Sequence, residues 1–422
     1  MLAPRRLAPL FALALLVLAW PAHVAAEKDK ETKKAGGVLA RTRSAAGTLW
    51  SMGKTLDLYS DLVPGAELLA PPGERGILEV KEGDLRVTLI GNLPGLSSSP
   101  VLETMVQLAA AKDADLDLTL KRGIVLLEAG KDADKVRARV HIQDKHIDVA
   151  IAKNGAVAFE LFSHWPVGAA ALKDAKAAPI GDLWLLVVRG KAEVTLDREK
   201  QSLTGPLAFH WTTRGGFEGP LALKSLPEWL TPEKIDGKEA LAVMRANEKL
   251  RVLAAKDPSA WQTALKGKDD GLRRVAVFHA AARDKLEPVF ETLNGDSATA
   301  VRRAAVQAVR RFAGRGVAER KTVVDRLAAA KYKAGQVDIF LHLLNGLSAE
   351  ERSRPETYES LIGYLQNEKM GIRELAAERL VELAPAGKTI AYDAAASADA
   401  RKMAQAAWRK LIPPGSLPKV EK

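Results

Sequence analysis

The apolar residues of this chain change their period once, near Leu230, and no other feature constrains the fold as strongly. From about residue 46 to 230 they alternate. GILEVKEGDLRVTLIGN, DLDLTLKRGIVLLEAG, KVRARVHIQDKHIDVAIAKNGAVAFELF and LWLLVVRGKAEVTL place apolar, often β-branched, side chains at every second position. Successive strand side chains point to opposite faces, so this alternation predicts half-buried strands. Breaks at Glu82-Gly83-Asp84, Lys121-Arg122-Gly123, Gln143-Asp144-Lys145, Lys153-Asn154-Gly155 and Arg189-Gly190-Lys191 predict hairpin turns. Closely spaced strands without intervening helices predict an antiparallel β sandwich, a jelly-roll-like fold or a rolled sheet.

Beyond Leu230 the apolar spacing becomes three and four, as far as about residue 411. Thr231 suits an N-cap, Pro232 the first helical turn, and Glu233 the positive end of a helix. VRRAAVQAV (301–309) and IRELAAERL (372–380) carry the same pattern: an aliphatic residue, Arg second, Ala fifth, an aliphatic ninth. Its offsets recur at Leu272-Arg273, Ala276, Ala280 and at Ala400-Arg401, Ala404, Trp408. The long gap between the second and third copies spans about two repeats. Such repetition predicts stacked helix pairs, each burying one face against its neighbours. Positions 301, 305, 308, 309 and 312 form that face; Ala305 is small where a neighbour approaches, and the repeated arginine is expected to tie adjacent repeats. Over about residues 240–411 this half resembles HEAT-like repeats, which implies an α-helical solenoid.

The β half resembles FecR-like extracytoplasmic domains through LTLKRGIVLLEAG (118–130), NGAVAFEL (154–161) and VVRGKAEVTL (187–196) followed by SLTGP. That family runs strand, Gly turn, strand, then a second Gly-centred hairpin. The resemblance implies an envelope domain that relays signals by protein contact. Only the domain type carries over, not a relay into the cytoplasm.

The N-terminus fits that address. MLAPRRLAPLFALALLVLAWPAHVAA has a basic start at Arg5-Arg6, an apolar run from Leu7 to Trp20, and Val24-Ala25-Ala26 before the charged EKDKE. This is the grammar of a cleaved secretory signal, and the run is shorter than the roughly 20 residues of a spanning helix. The expected organisation is a signal at 1–26, a flexible charged lead-in at 27–45, a β domain at 46–230 and a helical domain at 231–422. The expected fold class is therefore two-domain, all-β then all-α. No later segment is apolar and long enough to span a bilayer. The absence of cysteine excludes disulfides, cysteine–zinc sites and thiol nucleophiles.

Catalytic motifs are not found. Gly47-TLWSM-Gly53-Lys54-Thr55 has five residues between its glycines where a phosphate loop needs four. Asp113, Asp115, Asp117 and Thr119 share one strand face; a calcium ladder or a carboxylate pair is one reading, and the solvated face of a half-buried strand is the favoured one. His141 and His146 flank a turn without a third ligand, and neither HExxH nor GxSxG occurs. No cofactor is expected.

Two features suggest binding. FSHWPVG and FHWTTRGG end strands with His164-Trp165 and His210-Trp211, rings that can stack on a sugar or a partner side chain. Arg302, Arg303, Arg310 and Arg311 lie opposite the apolar face of their helix and form a candidate anion-binding surface. The net charge of +11 favours acidic partners. The export signal argues against nucleic acid and leaves another envelope protein or an anionic envelope polymer. The expected function is that of a non-enzymatic exported protein, periplasmic or envelope-bound, in a protein-interaction, signalling or scaffold role. An envelope carbohydrate- or polyanion-binding module is the alternative, and an exported hydrolase the third.

Overall fold

The computed structural model describes residues 38–80, 84–174, 176–196, 199–231, 237–295 and 298–419. The expected signal (1–26), residues 27–37 of the lead-in, most of the Glu82-Gly83-Asp84 turn, and Pro232 and Glu233 lie outside the described residues. In the described part, strands fill the N-terminal half and helices the C-terminal half.

The strands form two layers. One, here the inner sheet, runs in the order β4 (Asp61–Leu62), β1 (Ala40–Thr42), β6 (Arg75–Val80), β7 (Leu85–Ile90), β9 (Leu116–Ala129), β12 (Ala156–His164), β13 (Ile180–Arg189), β16 (Leu207–Thr212) and β17 (Gly216–Ala222). The outer sheet runs β3 (Lys54–Thr55), β2 (Trp50–Ser51), β5 (Glu67–Ala70), β8 (Thr104–Ala109), β9 again, β10 (Lys135–Ile142), β11 (Lys145–Ala152), β14 (Lys191–Leu196) and β15 (Glu199–Thr204). Strand β9 belongs to both. Its first half pairs with β8 and β10, its second with β7 and β12.

That sharing corrects one expected hairpin. Lys121-Arg122-Gly123 is no turn but the bend where β9 passes between layers. Gly123 has φ +108°, and a Cβ there would lie 2.3 Å from the Thr104 Cα, so only glycine fits. Asn154-Gly155 and Gly190 also connect different layers: β11 to β12 and β13 to β14. A Cβ on Gly190 would stand 2.9 Å from the Gly155 Cα, so the two glycines allow the crossings to pass each other. Of the described turns, Gln143-Asp144-Lys145 joins strands that pair directly. The sheets are otherwise antiparallel, but β9 and β10 run parallel, which the expected antiparallel scheme did not include.

The core between the layers takes the inward side chains of both, with Leu78, Leu89, Val125, Phe159, Leu185 and Val194 fully buried. The far face of the outer sheet is polar, as alternation requires; Arg139 meets Asp148 there at 2.6 Å. Part of the far face of the inner sheet is apolar too. Ile90, Ile124, Ala158, Leu186 and Ala208 are covered by Trp229, Leu226 and Leu230 from the segment leading to the helices. The lead-in proves shorter than expected: Ala40–Thr42 is a strand, with Thr42 and Ser44 buried against the sheet.

Thr231 ends a 3-10 turn at Glu228–Leu230, where the sequence suggested an N-cap. The described helix that follows is α2 (Lys238–Lys256), after the short α1 (Ala169–Lys173) of the β half. Then come α3 (Ala260–Leu265), α4 (Asp270–Ala282), α5 (Leu286–Asn294), α6 (Thr299–Gly314), α7 (Val317–Ala329), α8 (Ala334–Asn345), α9 (Ala349–Arg352), α10 (Pro355–Tyr364), α11 (Met370–Leu383) and α12 (Ala398–Leu411). Asp269 and Ser397 cap α4 and α12 with their side chains. The four repeated motifs fall on α4, α6, α11 and α12. Val301, Ala305, Ala308, Val309 and Phe312 are all buried on α6, as the spacing predicts. Arg302 reaches α11 through Glu374, and the Arg373 Nε–H donates to the Ala394 carbonyl at 2.8 Å. Residues from Val38 onward make one compact unit, so helices and sheets share an interface. Among the described residues, no helix is long and apolar enough to cross a membrane.

Candidate functional site: a groove at the β–α junction

Helices α4, α6 and α8 turn their C-terminal ends towards the β half. There the partial negative charge of each helix favours cations, and buried carboxylates arrive from the segments just before β6 and β8. At the end of α6 the Arg315 guanidinium lies 2.6 Å from Glu103, which also accepts from Arg122 at 2.5 Å. Burial alone would raise the Glu103 carboxyl; Arg315 and Arg122 outweigh it and hold the group below its ordinary range. Gly314 approaches Ser163 so closely that a Cβ would sit 2.5 Å from its carbonyl oxygen. At the end of α8 the Gly168 N–H donates to the Gly346 carbonyl at 3.0 Å.

The end of α4 is built differently. His279 is fully buried, and its Nε2 faces two acceptors, the Pro72 carbonyl at 3.1 Å and Asn247 Oδ1 at 3.3 Å. The ring therefore carries its proton on Nε2. Burial, then the nearby Arg283, push its pKa well down, so the ring is neutral. Asn247 passes the chain on, its Nδ2 donating to Glu74 Oε1 at 2.8 Å. Burial pushes Glu74 up to about 7, against the pull of Arg251 and the Asn247 amide. Arg283 lies with its guanidinium 3.9 Å over the Trp50 ring.

Glu74 and Asn247 form part of the wall of a groove of about 850 Å³. One side is made by Gly73–Arg75, Ile90–Asn92, Leu96, Ser97 and Trp229, the other by α2. The buried face of α2 is Ala240, Val243, Asn247, Leu250 and Ala254. Leu241, Met244 and Val252 stand beside that face and line the groove, with 44%, 40% and 45% of their surface exposed. Large apolar side chains on two sides with a few convergent polar groups make a surface suited to holding a ligand by burial. Ser97 Oγ accepts from the Asn92 amide and the Ser99 N–H. Among the described residues, no group of three or more His, Asp or Glu side chains could hold a metal ion.

The residues singled out in the sequence stand elsewhere, and most face inward. The expectation that four arginines share the outward half of α6 is corrected. Arg302 is 1% exposed and bonds Glu374 at 3.0 Å, Asp393 and Thr299. Arg310 donates to the Leu344 carbonyl at 2.9 Å and meets Glu378 at 2.8 Å. Arg311 lines a small cleft against Leu161–Ser163, where burial and Arg310 push its pKa down to about 10. Arg303 remains largely exposed, 3.4 Å from Glu374. The long side chains at the edges of the apolar face reach acids and carbonyls of α8 and α11, which spacing along one helix does not reveal.

The two His-Trp pairs divide likewise. Trp165 is buried, donates from Nε1 to the Ala313 carbonyl at 2.7 Å, and lies under the Arg320 guanidinium at 4.1 Å. Trp211 is buried in the core between the sheets. His164 and His210 share the far face of the inner sheet, on β12 and β16. His210 sits 3.1 Å from Asp182 and stacks on Trp184 with 4.4 Å between ring centres. His141 and His146 are direct cross-strand partners, their rings 6.0 Å apart. No motif or spacing in the sequence marks Glu74 or Asn247 as site residues. Leu241, Met244 and Val252 are large apolar residues that stay exposed among the described residues, and it is this exposure in the fold that makes them a surface.

No family model, no curated protein and no solved structure matches the chain.

Proposed function

We propose that this chain is a non-enzymatic exported protein of the cell envelope that acts by binding, with a FecR-like β half and a HEAT-like helical half forming the groove between them. The N-terminal signal grammar supports the address. The observation that carries the binding role is the row Leu241, Met244 and Val252, large apolar side chains beside a groove that the protein's own core leaves open. Contiguous exposed apolar surface of this kind marks interaction sites in soluble proteins. A photo-crosslinking amino acid placed at 241 or 244 in intact cells is expected to give a discrete adduct. The same group at Lys321, an exposed position on α7, is expected to give none. Equal labelling from all three positions, or none from the groove, overturns the proposal.

A carbohydrate-binding role is the second reading, favoured by the Trp184–His210 stack beside Asp182. Loss of retention on envelope polysaccharide in Trp184→Ala, with the groove variants unaffected, would favour it.

A further inference from the structure

We propose that the groove along α2 takes a single-chain amphipathic anion, a long-chain carboxylate of the fatty-acid type, with its tail between α2 and the strand loops and its head at Arg245. The inference rests on the groove being the binding site and names what fills it.

Size comes first. A volume of about 850 Å³ falls within the range of pockets that enclose one small ligand. Its walls are carbon along most of their length, with Ile90, Leu96 and Trp229 opposite Leu241, Met244 and Val252. An acyl chain requires such walls, because its binding is driven by removal of apolar surface from water.

Charge decides the head group. On α2, Arg245 stands among the apolar row, one turn from Leu241 and beside Met244. The other charges of that rim are committed. Glu248 is held by Arg251 at 2.5 Å, Lys249 meets Asp269 at 3.2 Å, and Arg75 donates to the Trp229 carbonyl. Among the described residues Arg245 has no acidic partner. A free guanidinium beside an apolar trough is complementary to a carboxylate on an apolar tail, and the fork geometry allows two parallel hydrogen bonds. The acid inside the groove, Glu74, already accepts from Asn247, and burial raises its pKa, so it opposes an incoming anion less than a solvated carboxylate would.

The test uses the full chain and dansyl-labelled undecanoate as the probe. Saturable binding at one probe per chain is expected, with a blue-shifted rise in dansyl emission. Arg245→Gln is expected to weaken it about tenfold, as loss of one charge-assisted contact does. Met244→Asp, which sets a carboxylate in the apolar wall at an exposed position, is expected to abolish binding while leaving the far-UV circular dichroism and melting temperature unchanged. The corresponding dansyl-labelled alcohol is expected to bind about tenfold more weakly than the acid to the parent chain, and equally to Arg245→Gln. Acid and alcohol binding alike, affinity indifferent to both substitutions, or capture only by anionic phospholipid vesicles overturns the proposal. A groove crosslink to a protein together with no probe binding removes the fatty-acid ligand and leaves the binding groove standing. Absence of both removes the two together.

Discussion

Helices α6 and α2 look opposite in sequence and exchange roles in the structure. TAVRRAAVQAVRRFAG has two arginine pairs, and its charge suggests a face turned to solvent or to an anionic partner. KEALAVMRANEKLRVLAAK has a modest apolar pattern and no sign of a site. In the fold, α6 lies between α4 and α11, where Arg302 and Arg310 find carboxylates and Arg302 disappears from the surface. α2 lies at the start of the helical half, where its buried face packs on α3 and α4 and meets the strand loops at Asn247, and among the described residues a neighbouring row of large apolar side chains stays open. A charged side chain is buried when a distant partner meets it, and an apolar one is exposed when no neighbour arrives. Neither outcome can be read from the helix alone.

The sharpest way to break the contrast is at Arg302. Arg302→Met removes the partner of Glu374, itself only 3% exposed at its side chain, and leaves a buried carboxylate with Arg303 alone beside it. Removing one member of a buried pair is expected to cost about 3–5 kcal/mol in urea unfolding. A loss below 1 kcal/mol would return α6 to the surface.

The next effect concerns pH. Glu74 has a folded pKa of about 7 against 4.5 for the ordinary group, so the folded chain holds this proton more tightly than the unfolded one. Its stabilisation is present below about pH 4.5 and is lost as pH rises through about 7. Glu74→Gln is expected to flatten the fall in stability between those values, with a gain over the parent at pH 8 of at most about 3 kcal/mol. Parallel pH–stability curves for parent and variant would show that the carboxyl at the groove wall is not strained by burial.

Packing gives a smaller change. Ala305 is fully buried on the face α6 presents to its neighbours, and Ala305→Leu is expected to cost roughly 1–3 kcal/mol by overpacking. An unchanged melting temperature would mean that the helices have room there. The smallest effect belongs to the groove: Met244→Gln is expected to stay within about 0.5 kcal/mol of the parent, because an exposed side chain with no committed contact contributes little to folding. A large loss would show that Met244 is core and not part of a binding surface.

Much of the local architecture was legible. Period two marked the strands, spacings of three and four marked the helices, and the motif copies landed on α4, α6, α11 and α12 because a helix face repeats at fixed offsets. The glycines at 123, 155 and 190 mark places where the chain bends sharply, and the alternation around them predicts hairpins. Each joins different sheets, and alternation records which face a residue takes, not which strand lies beside it. The candidate site was barely legible. His210 reaches Asp182 and Trp184 only through the pairing of β13 with β16, and Glu74 meets Asn247 across 173 residues of chain.

The sequence by itself determined where strands end and helices begin, which side of each is apolar, and where small residues let the chain bend or helices approach. These follow from contacts within a few residues, whose geometry the backbone sets. Tertiary structure alone decided the sheet-to-sheet crossings, the burial of Arg302 beside Glu374, and the groove that α2 leaves open. Each depends on groups far apart in the chain arriving at one place, and a periodic pattern carries no record of which partner will arrive.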